Sequence, residues 1–110
     1  MTTSKGKKVR AATPAGVSSG SHLQDWLRNP KNAAAYIEVA LTEGDSGDLL
    51  HALRNVAEAR GGIAQIAERT GLNRETLYRT LSKRGNPQLS SLAAILAATG
   101  LRLSVTPAGR

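Results

Sequence analysis

Four residues constrain this chain more than any others: Ala67, Gly71, Leu72 and Leu77. They sit in the run Ile63-Ala64-Gln65-Ile66-Ala67-Glu68-Arg69-Thr70-Gly71-Leu72-Asn73-Arg74-Glu75-Thr76-Leu77-Tyr78-Arg79-Thr80, and each has a steric reason for its place. A small side chain at Ala67 lets a second helix cross the first at close range. A glycine four residues on turns the chain sharply through positive φ, which glycine adopts at little cost. Leu72 then fills the space between the two helices, and Leu77 anchors the second helix inward and leaves its other side exposed. That is helix-turn-helix spacing, with the second helix positioned to read a major groove.

The flanking sequence is punctuated into more short helices. Asn29-Pro30 is a helix start, because Asn caps and Pro suits the first helical position. After it, Ala33, Ala34, Ile37, Ala40 and Leu41 recur at three and four residues and make one apolar stripe. Gly44 ends that helix, and Asp45 or Ser46 caps the next, whose Leu49, Leu53, Val56 and Ala57 face inward as far as Gly61-Gly62. A third helix over roughly 63–70 stops at Gly71, and Asn73 caps a fourth over about 74–82 with Leu77 and Leu81 inside. Gly85-Asn86-Pro87 is a turn. Ser90 caps a fifth helix, carrying Leu92, Ile95 and Leu96 and ending at Gly100. Last, Leu101-Arg102-Leu103-Ser104-Val105 alternates apolar and polar with the period of a half-buried strand. The expectation is an all-α five-helix bundle with a short C-terminal β-strand over 101–105. A lone strand is marginal in water, so it is expected to pair with its own copy in a second subunit.

Composition narrows the chemistry. There is no Phe, and Trp26, Tyr36 and Tyr78 are the whole aromatic complement, so the core must be aliphatic. Without cysteine, disulfides, thiolate metal sites and cysteine nucleophiles are excluded. No apolar run approaches the roughly 20 residues that span a bilayer, and no apolar stretch follows the charged N-terminus as a secretory signal requires. The expectation is a cytoplasmic protein with no membrane partner.

Charge is unevenly spread. Residues 1–20 carry Lys5, Lys7, Lys8 and Arg10 and no acid, residues 21–68 are net −3, and residues 69–110 are net +6, within a total of +7. Basic charge gathered on one part of a domain attracts a polyanion, of which nucleic acid is the usual one. Residues 1–20 are too poor in apolar side chains to offset the entropy of ordering, so they read as a disordered basic arm, either adding phosphate attraction or simply solvated. Residues 21–110 then form the DNA-binding domain.

The exposed side of the second motif helix assigns candidate roles on double-stranded operator DNA. Arg74 and Arg79 can each make a bidentate pair with guanine. Glu75 can accept from a cytosine amino group, or hold Arg79 through an i,i+4 pair. Asn73 and Thr76 can hydrogen-bond phosphates, with the helix dipole adding to the attraction. Tyr78 lies on the same exposed side, and Lys83 and Arg84, just past the helix, suit the DNA backbone.

With these residues in view, positions from about 21 to 106 resemble the addiction-module antidote proteins (HigA-like) of the Xre-type, lambda-repressor-like helix-turn-helix superfamily. The likeness is carried by Ala35-Tyr36-Ile37-Glu38 through Glu43-Gly44-Asp45, by Thr70-Gly71-Leu72-Asn73-Arg74-Glu75-Thr76-Leu77-Tyr78, and by Gly85-Asn86-Pro87 through Gly100-Leu101-Arg102-Leu103-Ser104-Val105. The resemblance implies a lambda-repressor-like bundle. It also implies a homodimer that binds its own operator, represses the operon and neutralises a co-encoded RelE/HigB-like toxin. The chain departs from the superfamily's pattern in two places. Gly62 and Ile63 stand where Ser or Thr followed by a phosphate-clamping Gln is common, and Thr70 stands where an aliphatic residue is common.

Other constellations point to structure. His22 and His51 lie far apart in sequence with no acidic cluster to complete a metal site, and no Gly-rich loop with a following Lys suggests a nucleotide; neither metal nor cofactor is expected. Glu43, Asp45 and Asp48 read as helix capping, where the dipole favours an acid. Trp26-Leu27 reads as a staple for the first helix. Nothing assembles a nucleophile with its base, so no enzyme is expected. Two alternatives to a repressor stay open. One is a partner-holding protein that uses its acidic stretch 21–68 on a basic toxin, with DNA contact secondary. The other is a phage-type Xre regulator without a toxin.

Overall fold

The computed structural model describes residues 21–82 and 84–109. The arm expected over 1–20 and Lys83 lie outside the described residues. Six helices follow in order: α1 (Ser21–Leu27), α2 (Pro30–Glu43), α3 (Ser46–Ala59), α4 (Gly62–Thr70), α5 (Arg74–Thr80) and α6 (Leu89–Ala98).

Five of these match the expected helices, and α1 is additional. At seven residues it is too short to show an apolar period, and only Trp26-Leu27 hinted at it. Its purpose is packing. Leu27 is fully buried, and Trp26 meets Tyr36 of α2 edge-on, ring centroids 6.3 Å apart at 82°. The Asn32 amide donates to the Trp26 carbonyl at 2.9 Å, fixing the corner between α1 and α2.

Start signals behave largely as their chemistry dictates. Asn29 caps α2 by accepting from the Lys31 N–H, with Pro30 in the first turn. Asp45, rather than Ser46, caps α3 in a reciprocal box: its carboxylate accepts from the Asp48 N–H at 2.8 Å and its own N–H donates to Asp48 at 3.1 Å. Glu43 simply ends α2. α6 departs from expectation. It starts at Leu89 with Gln88 in the cap position and no side-chain cap bond, so Ser90 lies inside the first turn. Pro87 keeps Asn86 out of the helical region, and α6 begins two residues after the proline.

The core is aliphatic and joins all six helices, with Leu27, Leu53, Val56, Ile66, Leu77, Leu81 and Ile95 its largest fully buried side chains. α2 packs on α1 and α3, while α4 packs on α3, α5 and α6. The single stripe expected on α2 is divided between two faces. Ala33, Tyr36, Ile37 and Ala40 are buried, whereas Ala34 is exposed and Leu41 is 54% exposed. Leu49 of α3 is only half-buried and Leu50 takes the interior position.

The expected strand over 101–105 is absent from the described residues. Residues 101–109 carry no regular structure. The Leu101 N–H donates to the Leu96 carbonyl at 2.9 Å, closing off α6 after Gly100 at φ +91°, and Leu101 packs on the core. A strand needs a neighbouring strand to donate to and accept from, and the described chain supplies none.

No helix among the described residues is long and apolar enough to cross a membrane.

Candidate nucleic-acid interface

α4 and α5 are joined by Gly71, Leu72 and Asn73. The helix breaks where the spacing places the break: Gly71 sits at φ +78°, ψ +3°, and its N–H closes α4 on the Ala67 carbonyl at 3.0 Å. Ala67 is buried where the helices meet and Leu72 packs on the core. Thr70, where the resemblance implies an aliphatic residue, has a local role. Its hydroxyl donates to the Ile66 carbonyl at 2.8 Å and accepts from the Leu72 N–H at 3.3 Å, so a polar side chain bridges both sides of the turn. A Cβ on Gly71 would meet nothing within 4 Å. The left-handed backbone is therefore the whole cost of a side chain there, and Gly71→Ala is expected to lower stability by about 1–2 kcal/mol, read as a lower denaturation midpoint with unchanged slope. A loss below about 0.5 kcal/mol would show that the turn relaxes to another conformation.

Asn73 caps α5 by accepting from the Thr76 N–H at 2.7 Å. Its oxygen is thereby committed, which leaves its NH₂ as the donor available to a phosphate. Leu77 and Leu81 are buried, so the outward arc follows from about 100° per residue. Glu75 and Arg79 lie opposite Leu77, Arg74 and Tyr78 share one flank, and Thr76 takes the other. The burial pattern agrees: Asn73, Arg74, Glu75, Tyr78 and Arg79 are exposed and Thr76 is half-buried. Arg84 is exposed beyond the helix.

The i,i+4 pair expected between Glu75 and Arg79 does not form. The ion pairs Arg28–Asp25 and Arg54–Glu58 lie elsewhere on the bundle, and among the described residues no acid meets Arg74 or Arg79 as they extend from α5. Tyr78 is the member of the set that does have a charged neighbour. The Arg54 guanidinium of α3 lies 5.0 Å from its ring centroid, a cation–π interaction, and Glu58 holds that guanidinium at 3.5 Å. Sequence reasoning missed Arg54, because at i,i+4 from Glu58 it looks like an ordinary helix-surface pair.

Two further basic residues are committed to the fold. The Arg69 guanidinium donates to the Ala98 carbonyl at 3.0 Å. Arg60 donates to the Thr99 carbonyl and to the Arg28 carbonyl. Both guanidiniums satisfy carbonyls at a helix C-terminus, where the dipole favours a cation. Gly85, expected only as a turn residue, also has a steric requirement, since a Cβ there would collide with the Thr80 carbonyl oxygen. The exposed cations of α5 thus lead into a loop whose path only glycine allows.

His51 lies 3.4 Å from the Asn55 amide, and no group of three or more potential metal ligands occurs among the described residues.

Residues 19–107 match the family model described as "Probable addiction module antidote protein". The chain is also similar to a protein of Haemophilus influenzae (strain ATCC 51907 / DSM 11121 / KW20 / Rd) described as uncharacterized, 33% identical over 83 residues, which is 76% of this chain and 84% of the relative. No solved structure matches the chain. A match over most of its length, across the turn at Gly71 and the exposed arc of α5, places this protein in the family of probable addiction module antidote proteins.

Proposed function

We propose that this protein is a sequence-specific DNA-binding repressor of the Xre type, the antitoxin of a type II toxin–antitoxin module. On this reading α4 and α5 are a helix-turn-helix, a homodimer binds the operator in the cytoplasm, and the module's own operon is repressed. The protein acts by binding, with no covalent step and no cofactor. The observation that carries the reading is the pair Arg74 and Arg79, exposed and without acidic partners among the described residues, on a helix that begins just past a left-handed glycine.

The energetics divide into two parts. Phosphate binding by Asn73, Thr76, Arg84 and Lys83 gives affinity that ignores sequence, and its charged members make that affinity sensitive to salt. Arg74 and Arg79 supply base discrimination, with Glu75, left unpaired by Arg79, facing a cytosine amino group. Titration of a duplex from upstream of the gene against a random duplex of equal length tests the reading. Tighter binding to the upstream duplex supports it, and equal binding overturns it. Removing residues 1–12 is expected to reduce the slope of log K against log salt by about 0.9 for each phosphate that the arm neutralises. An unchanged slope would show the arm to be idle on DNA.

The family implies a toxin partner, and the exposed acids Glu38 and Glu43 of α2 favour a second reading in which holding that toxin is the main task. A basic RelE/HigB-like toxin would suit such a surface. Both readings predict co-purification with the product of the adjacent reading frame, whereas a regulator without a toxin purifies alone; an upstream duplex bound no more tightly than a random one, with the toxin still held, favours the second reading.

A further inference from the structure

The described residues expose five large hydrophobic side chains. Tyr78 and Leu89 are two of them; the other three are Leu41 at 54%, Leu103 at 41% and Val105 at 97%. Leu41 and Leu103 line one groove of about 340 Å³ between the second apolar face of α2 and the segment after α6. Ala34, Ile37 and Leu101 complete its apolar floor, and Val105 continues the same segment. Singly exposed apolar residues are ordinary, but a contiguous set marks an interaction surface.

Two further observations say what covers it. Glu38 and Arg102 both line the groove, both are exposed, and no ion pair joins them to each other or to any described residue. A surface bearing one acid and one base, each without a partner, complements itself. In an isologous interface every contact is made twice, i with j and j with i, so a two-fold axis at this groove can set Glu38 of each copy against Arg102 of the other. The backbone agrees. From Arg102 to Ala108 no N–H or carbonyl has a backbone partner among the described residues, so a second tail running antiparallel can supply the missing ladder.

We propose that this groove is the interface between two copies of the chain. It rests on the reading that the protein is a homodimer and gives that dimer its surface. Leu41, Leu103 and Val105 form the apolar centre, Glu38 and Arg102 pair across the two-fold axis, and the two tails pair antiparallel about Leu103. Each substitution on such a surface acts twice, once per copy.

Sedimentation equilibrium of the full chain without DNA tests this. The wild type is expected to be dimeric. Val105→Asp alters a side chain that touches nearly nothing in the single chain, so the helical circular dichroism should be unchanged while the dimer dissociation constant rises at least about a hundredfold, tenfold from each copy. Glu38→Arg and Arg102→Glu are each expected to weaken the dimer, and the double variant to restore it. A monomeric wild type, a dimer indifferent to Val105→Asp, or a double variant no tighter than the singles would each overturn the proposal. A groove that instead holds the toxin would show as a monomer whose co-purification with the adjacent gene's product is abolished by Val105→Asp. Because no DNA is present, these outcomes are independent of whether the exposed arc of α5 reads DNA.

Discussion

Leu77→Ala is expected to lower the free energy of unfolding by about 2–5 kcal/mol, the range for truncating a buried leucine. Leu77 is fully buried, and it is the one side chain within α5 that is. A helix of seven residues is far below the length that holds together alone in water, so α5 exists because Leu77 ties it to the core with help from Leu81 at its end. Total stability for a domain of this size is about 5–15 kcal/mol, and one truncation removes a large part of it. Urea unfolding followed by circular dichroism gives the loss as a lower midpoint. Leu77→Met, which keeps the volume, should cost less than about 1.5 kcal/mol. If alanine costs no more than methionine, α5 is held by something other than this anchor.

Arg79→Ala is expected to weaken binding to the upstream duplex by about 1–3 kcal/mol, the discrimination carried by one bidentate arginine–guanine pair. Binding to a random duplex should change little beyond the effect of removing one positive charge. Arg79 is the sharper probe of the two arginines for a geometric reason: it lies opposite Leu77, whereas Arg74 shares its flank with Tyr78 and the stacked Arg54. The absence of an ion pair to Glu75 makes the result simpler to interpret, since truncating the side chain breaks no salt bridge within the protein. Fluorescence anisotropy on the two duplexes at one fixed salt concentration measures both affinities. Equal losses on both would reassign Arg79 to the DNA backbone.

Most of the helices were legible in the sequence because their ends carry local chemistry. Asn29 with Pro30, Asp45 with Asp48, and Asn73 with Thr76 are start signals confined to three or four residues, and Gly71 and Gly100 stop helices through a backbone conformation special to glycine. What was not legible depends on neighbours distant in sequence. α1 is stabilised by Leu27 and Trp26 meeting residues of later helices, with no cap or period of its own. The outward turn of Ala34 and Leu41 is invisible to spacing, because an apolar residue can lie on either of two faces. Tail residues 101–105 alternate as a strand does, yet alternation states a preference for a neighbour and does not provide one. Within the candidate site, the exposed arc of α5 followed from Leu77 alone. The stacking of Arg54 on Tyr78 joins positions 24 residues apart in sequence and leaves no local mark. The diversion of Arg60 and Arg69 to helix ends is equally hidden, since a sequence counts charges without saying which are already engaged.

Arg60 has a bearing on how this module could be cut or grafted. Its guanidinium reaches the last turn of α6 through Thr99 and the end of α1 through Arg28, so one side chain fastens together the first and last helices of the bundle. An excised fragment beginning at Asp45 would keep α4 and α5 intact, yet it would strip this arginine of one carbonyl and open the hole that Leu27 fills. The α4–α5 unit is therefore not a detachable cassette: transplanting it into another scaffold means carrying the two leading helices along.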